Sequence, residues 1–215
     1  MSKNSIEVIS EKIVRASREL HNHGLVRGTS GNISAKIPGT DKFLIKPSGA
    51  RMEALEPGNL ILVDLHGNKI GRKAQVSLET PMHAAIYRVR KDVTAVIHTH
   101  PPTATAFGIA KTEILPLQIE MFLLLPNGVP IVPFEKPGSK ALARAVQKSI
   151  SHYDAIILEN HGIVTVGVDI EAACTLNEIV EEAAKIQLST IILAGRDAIS
   201  LTELKEKFKI YDTVQ

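Results

Sequence analysis

The sequence predicts one α/β domain over residues 1–215, built around a largely antiparallel sheet. Three observations predict it. The length falls within the range of one large domain, and 44% hydrophobic residues provide for a substantial core. Short apolar runs separated by turn residues follow one another before the first internal helix, the pattern of hairpins. Segments with apolar residues at helical spacing stand on either side of these runs.

Taken in order, Ile6, Ile9, Ile13 and Leu20 recur near helical spacing with charges between them, which predicts an amphipathic helix over 4–22 that Gly24 ends. The stretch Gly28-Thr29-Ser30-Gly31-Asn32 leads into a short alternating strand, residues 33–37, turned by Pro38-Gly39. Residues 43–45 form a strand stopped by Pro47-Ser48-Gly49, and 60–63 another, turned back by His66-Gly67-Asn68. A helix covers 79–90, with Pro81 tolerated in its first turn. Residues 93–97 are a buried strand running into His98-Thr99-His100-Pro101-Pro102. Short helices are expected over 103–110 and 118–125, and a strand over 129–132. Ser139 caps a helix to about residue 150. The runs 155–158 and 163–166 flank Glu159-Asn160-His161-Gly162 as a hairpin-like pair. Asp169 caps a long helix to about 193, and a final helix is expected over about 201–209.

Composition excludes several classes. Charged residues are 22% of the chain, the net charge is +2, and Lys and Arg are scattered, which argues against a nucleic-acid footprint. The one cysteine, Cys174, has no internal partner for a disulfide, as expected in a reducing cytoplasm. The N-terminus lacks the apolar core of a signal peptide. No apolar run reaches the roughly 18 residues of a membrane span.

The histidines carry the chemistry. His98 and His100 stand two apart at the end of an apolar strand, where residues i and i+2 face the same way with Cα atoms roughly 6.5–7 Å apart. Both imidazoles can then converge on one ion. His161 lies in a Gly-flanked turn between two other apolar strands, a place from which a polar side chain reaches a cleft. Three neutral nitrogens make an incomplete tetrahedral shell whose open position suits a Lewis-acid catalyst. Alone, His-x-His is a weak signal, and a histidine beside an apolar strand is more often structural. His83 lies one helical turn after Glu79 and reads first as a structural residue. Glu79 itself is by default an ordinary first-turn carboxylate favoured by the helix dipole.

Taken together, Gly28-Thr29-Ser30-Gly31-Asn32, Lys46-Pro47-Ser48-Gly49, Glu79 with His83, His98-Thr99-His100 and Asn160-His161-Gly162 resemble, in order and spacing, the class II aldolase/adducin-like family. That family includes fuculose-1-phosphate and rhamnulose-1-phosphate aldolases and ribulose-phosphate 4-epimerases. The resemblance covers nearly the whole chain. It implies a three-layer fold, a central mostly antiparallel sheet with helices on both faces, and a homotetramer with the site at a subunit interface. It implies that His98, His100 and His161 bind zinc, or else manganese or cobalt. Glu79 then completes the resting metal shell and acts as the acid–base residue. Thr29, Gly31, Asn32, Ser48, Gly49 and Ser77 fall on the loops that hold the substrate phosphate, and Gly-rich turns suit that task. Lys207-Phe208-Lys209-Ile210-Tyr211 resembles the tail of the fuculose enzyme, in which a tyrosine donates a proton to the aldehyde oxygen; Tyr211 matches it.

The sequence also departs from the family pattern. Ser77-Leu78 stands where the aldolases often have two serines, so one phosphate-contacting hydroxyl is missing. Glu120 falls near a tyrosine of the fuculose enzyme, and Pro137 near an aromatic loop residue. The epimerases tend to have aspartate at position 79 and longer insertions, so Glu79 and the short chain favour the aldolase branch. The expected substrate is a phosphorylated sugar or sugar-like molecule, with no nucleic acid and no membrane. The expected reaction is aldol cleavage of a ketose 1-phosphate. The same site would serve 4-epimerisation, decarboxylation of a sugar-acid phosphate or dehydration of methylthioribulose phosphate, and a non-catalytic adducin-like role is the remaining alternative.

Overall fold

The computed structural model describes residues 3–71, 74–195 and Glu206. Helix α1 spans Lys3–Asn22 and is followed by strands β1 (Asn32–Lys36), β2 (Lys42–Ile45), β3 (Ile61–Asp64) and β4 (Lys69–Ile70). Helix α2 (Thr80–Val89), strand β5 (Ala95–Thr99), and helices α3 (Pro102–Ile109) and α4 (Ile119–Leu124) come next. Then come β6 (Ile131–Val132), α5 (Lys140–Ile150), β7 (Ala155–Leu158), β8 (Gly162–Gly167) and α6 (Ile170–Ala194). The expected helix over 201–209 and the tail with Tyr211 lie outside the described residues, Glu206 excepted.

The strands form one sheet in the order β4-β3-β2-β1-β5-β8-β7-β6. Every pairing is antiparallel except β6 with β7, which is parallel because α5 crosses between them. Every residue of β5, β7 and β8 is buried, as in strands covered on both faces, whereas β3 alternates buried and half-buried residues. Strict alternation sorts the side chains of β5. Val96 joins Phe43, Ile61, Ile156 and Val164 under α2 and α5, with Met82, Ile86, Leu142 and Val146 from those helices. Ala95 and Ile97 face the other way, onto Ile13 and Leu20 of α1 and Ala173 of α6. Farther along that second face, Ile157 and Ile163 pack against Ala104 and Phe107 of α3, Met121 of α4 and Val180 of α6. The result is the three-layer α/β arrangement expected from the sequence, with α2 and α5 on one face and α1, α3, α4 and α6 on the other.

Local chemistry sets the boundaries. Ser139 Oγ accepts the Leu142 N–H and Asp169 accepts the Ala172 N–H, so both predicted N-caps close their helices. The expected strand over 129–132 is shorter, because Val129 makes a lone bridge to Ile114 and only Ile131 and Val132 reach β7. The expected strand from Val93 begins at Ala95. Two elements have no counterpart in the sequence reading: the two-residue edge strand β4 and a 3-10 turn at Pro57–Asn59. Among the described residues no helix is long and apolar enough to cross a membrane.

Ile156 has no exposed surface and packs in the layer between the sheet and α5. Ile156→Ala should cost about 2–5 kcal/mol in a denaturant titration, the usual range for such a cavity. A cost below about 1 kcal/mol would mean that this face collapses around the gap and is packed more loosely than described.

Candidate metal centre

The three motif histidines meet. His98 lies near the end of β5 on its α2-facing side, His100 follows the strand, and His161 projects from the turn between β7 and β8. One ligand atom from each lies within 4.8 Å of the other two. His98 Nε2 and His100 Nε2 are 2.8 Å apart, and the ring centroids of the trio are 4.7, 4.7 and 5.1 Å apart.

Backbone geometry makes this convergence. Asn160 has φ 56°, a left-handed conformation that asparagine tolerates, and it swings the turn so that His161 points inward. Gly162 permits the approach: a Cβ there would stand 2.3 Å from Thr99 O and 2.7 Å from His100 Cδ2. Gly31, at φ 70°, allows a second close approach, since its Cβ would lie 2.8 Å from His98 O. The His100 N–H donates to Leu25 O at 3.0 Å, which pins the residue beyond the strand end.

Hydrogen bonding fixes the ligand atoms. His98 Nδ1 lies 2.8 Å from Ile163 O, and a carbonyl only accepts, so Nδ1 bears a proton and Nε2 is the nitrogen turned toward the cluster. Burial, together with the neighbouring imidazoles, holds His100 down to about 3; burial and His98 hold His161 down to about 4. Both are therefore neutral, ligand-competent imidazoles at neutral pH.

Glu79 closes the cluster. It is the N-cap position of α2 but makes no side-chain capping bond to its own helix. Its Oε2 lies 3.1 Å from His98 Nε2 and its Oε1 3.5 Å from His161 Nε2. Oε2 accepts the Asn32 amide at 2.8 Å, while Oε1 is buried and makes no hydrogen bond. Burial pushes the carboxyl upward, but His98, the Asn32 amide and His161 together outweigh it, so Glu79 ionises more readily than an ordinary glutamate. Three imidazole nitrogens and a carboxylate, one of its oxygens buried without a hydrogen-bond partner, make a donor set that fits a divalent cation.

The loop residues gather around this cluster through backbone contacts. Lys46 is 2% exposed, and its ammonium donates to Thr29 O and Ala50 O, tying the 28–32 loop to the 47–50 loop. Burial lowers its pKa to about 8. The Ser48 N–H donates to Gln75 O, and Pro47 bridges Val76, which brings the 47–50 loop to the segment carrying Ser77 and Glu79. Ser77 Oγ accepts the Glu79 N–H. Gly49, at φ 72°, has open space where a Cβ would be. Both ends of the Asn32 side-chain amide are engaged, by Glu79 and by His83. Leu78 is 67% exposed beside Glu79 and touches the position a Cβ of Gly138 would take. Sequence reading passed over Lys46 as a link between loops and His83 as a partner of Asn32. Lys46 is a lysine between an apolar strand and a Pro-Ser-Gly turn, a signal that could have found it.

Three histidines gathered at one end of the sheet of a three-layer α/β domain, with a carboxylate from the start of α2, define a class: domains with a donor set that could hold a divalent ion. The model of the class II aldolase and adducin N-terminal domain matches residues 11–188, and the chain belongs to that family. It is 32% identical over 208 residues to a 5-methylthioribulose-1-phosphate/5-deoxyribulose-1-phosphate aldolase of Escherichia coli, covering 94% of this chain and 96% of that one. It is 33% identical over 183 residues to an L-fuculose phosphate aldolase of Methanocaldococcus jannaschii, covering 85% of this chain and 97% of that one. The crystal structure of L-fuculose-1-phosphate aldolase from Thermus thermophilus superposes with a TM-score of 0.79 at 27% identity, over 89% of this chain and 98% of that one. The expectation of an enzyme of the lyase class agrees with these relatives, which are named aldolases.

His100 and His161 titrate near 3 and 4 in the folded chain, against an ordinary value of 6.5. Between those limits the unfolded chain binds more protons, so their contribution to stability is complete above about 6.5 and is lost as the pH falls through the folded values. The unfolding midpoint of metal-free protein should therefore drop between pH 7 and pH 5. A His100→Gln/His161→Gln double variant should show a flatter dependence. Equal slopes for the two proteins would place the acid sensitivity elsewhere.

Proposed function

We propose that this chain catalyses the reversible aldol cleavage of a ketose 1-phosphate to dihydroxyacetone phosphate and an aldehyde, with Glu79 as the acid–base residue. The observation that carries the reading is the position of Glu79: one carboxylate oxygen held by Asn32, the other buried without a hydrogen bond among three ligand-competent imidazoles. Such a group is ionised at neutral pH and placed to move one proton, which is what forming an enediolate requires.

His98, His100 and His161 would hold the ion, with Glu79 as a further ligand at rest. When bound, a divalent cation, taken here as zinc with manganese or cobalt as alternatives, supplies the positive charge that makes an enediolate accessible. In the direction of synthesis Glu79 removes a proton from the hydroxymethyl carbon of dihydroxyacetone phosphate. The carbon nucleophile then adds to the aldehyde carbonyl, and the aldehyde oxygen takes a proton. In cleavage the substrate hydroxyl loses its proton, the C–C bond breaks, and Glu79 returns a proton to carbon. Tyr211 is the proposed donor at the aldehyde oxygen, by resemblance. Thr29, Gly31, Ser48, Gly49 and Ser77, with the Asn32 backbone, are proposed to cradle the phosphate, with the Lys46 charge behind them. A homotetramer with the site at a subunit interface completes the reading.

The substrate class rests on the relatives, which are named for methylthioribulose, deoxyribulose and fuculose phosphates. All three are ketose 1-phosphates whose far ends differ. Leu78, exposed beside Glu79, presents an apolar side chain where the aldolases often have a second serine.

Zinc-loaded protein should cleave at least one of these ketose 1-phosphates and exchange a carbon-bound proton of dihydroxyacetone phosphate with solvent. Glu79→Gln should retain the fold and lose exchange by roughly two to four orders of magnitude, the scale of an acid–base residue. Exchange at the wild-type rate in that variant would place the base elsewhere.

A further inference from the structure

Behind Glu79 runs a continuous line of buried polar side chains. Asn32 and Ser34 lie two apart on β1 and face α2. Glu79, His83 and Tyr87 follow one another at intervals of four and share one face at the start of and along α2. The two rows interlock. Asn32 Nδ2 donates to Glu79 Oε2 at 2.8 Å, and His83 Nε2 makes a very short hydrogen bond to Asn32 Oδ1. Ser34 Oγ lies 2.7 Å from His83 Nδ1 and 2.8 Å from the Tyr87 hydroxyl. Ser34, His83 and Tyr87 have no exposed surface, and Asn32 is 4% exposed.

With a neutral His83, one arrangement of protons satisfies this line. A carboxylate accepts, so the Asn32 amide nitrogen must face Glu79. The amide oxygen then faces His83 and only accepts, so His83 must be protonated on Nε2. Burial holds this imidazole neutral, lowering it to about 3. Its Nδ1 therefore accepts the Ser34 hydroxyl, and Ser34 Oγ accepts the Tyr87 hydroxyl. With His83 neutral, reversing the Asn32 amide or the His83 tautomer would set two acceptors or two donors against each other among buried side chains.

We propose that His83 is a positioning residue: through its Nε2–H it orients the Asn32 amide, which clamps Glu79 Oε2 and leaves Oε1 as the oxygen that exchanges the proton. The proposal rests on the acid–base reading of Glu79. A glutamate side chain has three rotatable bonds, and Glu79 makes no bond to its own helix that would hold it. The clamp is what confines it beside the imidazoles, and a small displacement of an acid–base group from its target is costly to rate.

The test compares wild type, His83→Leu and His83→Gln. Leucine removes the donor. Glutamine keeps an N–H at comparable reach toward Asn32 and an oxygen to accept from Ser34. Zinc content, unfolding midpoint, and kcat and KM for proton exchange on dihydroxyacetone phosphate are measured for each. In His83→Leu, kcat should fall by about 10–100-fold, the usual effect of losing such a supporting partner, while KM and zinc content stay near wild type. In His83→Gln, kcat should recover most of that loss even if the variant is no more stable than the leucine one. A purely structural histidine would rank the variants by stability, so equal losses in both, or no loss in His83→Leu, would overturn the proposal. Nitrogen-15 spectra of the zinc-loaded wild type provide an arm that does not depend on activity. The Nε2–H tautomer of His83 is expected, and an Nδ1–H tautomer or an imidazolium would overturn the relay. Wild-type protein inert toward dihydroxyacetone phosphate would instead overturn the aldolase reading, with the tautomer still deciding the relay.

Discussion

The close approach of the β7–β8 turn to the end of β5 is the constraint on which the site depends. His98 and His100 are brought together by the two-residue repeat of a strand, but His161 comes from more than sixty residues later in the chain. It reaches them because position 162 has no side chain; any Cβ there would press on Thr99 O and the two imidazoles. The pairing of β8 with β5 places Val164 opposite His98 and Ile163 opposite Thr99. That register also puts Ile163 O at His98 Nδ1, which turns Nε2 toward the cluster. One strand pairing therefore brings the three histidines together and orients His98.

The second dependence is on the layer between the sheet and α2. Alternation along β1 and β5 sends Asn32, Ser34 and His98 to the same side, and α2 begins there with Glu79. A carboxylate placed among three imidazoles in a buried site must have a charged partner or hydrogen bonds. Oε2 accepts the Asn32 Nδ2–H and stands 3.1 Å from His98 Nε2, whereas Oε1, 3.5 Å from His161 Nε2, makes no hydrogen bond. The proposed ligation at rest and proton transfer during turnover draw on this asymmetry.

Much of this was legible in the sequence, and the missing part has a physical cause. The His-x-His at a strand end carries its own geometry, because a period of two needs no tertiary information. The fold class follows from the turn-separated apolar runs, and the Ser139 and Asp169 caps from their local chemistry. By contrast, Glu79 reads as an ordinary helix-start carboxylate until β1 is known to lie opposite α2. His83 reads as structural for the same reason, since Asn32 stands 51 residues away. Lys46 between an apolar strand and a Pro-Ser-Gly turn marks an unusual place for a lysine, but which two loop carbonyls receive it depends on tertiary packing. The short β4 and the parallel β6–β7 pair depend on docking more than on local propensity. Tyr211 lies beyond the described residues, so its part in the reaction rests on resemblance alone.

The central claim is that three imidazoles and Glu79 form one open metal shell. X-ray absorption at the zinc edge of the loaded protein tests it most directly. The account predicts three nitrogen scatterers with imidazole signatures at about 2.0–2.1 Å, one or two oxygens at about 2.0–2.2 Å, and no sulfur. Loss of one imidazole contribution in His161→Ala would complete the assignment. A shell containing sulfur at about 2.3 Å, or one made of oxygens alone, would contradict it.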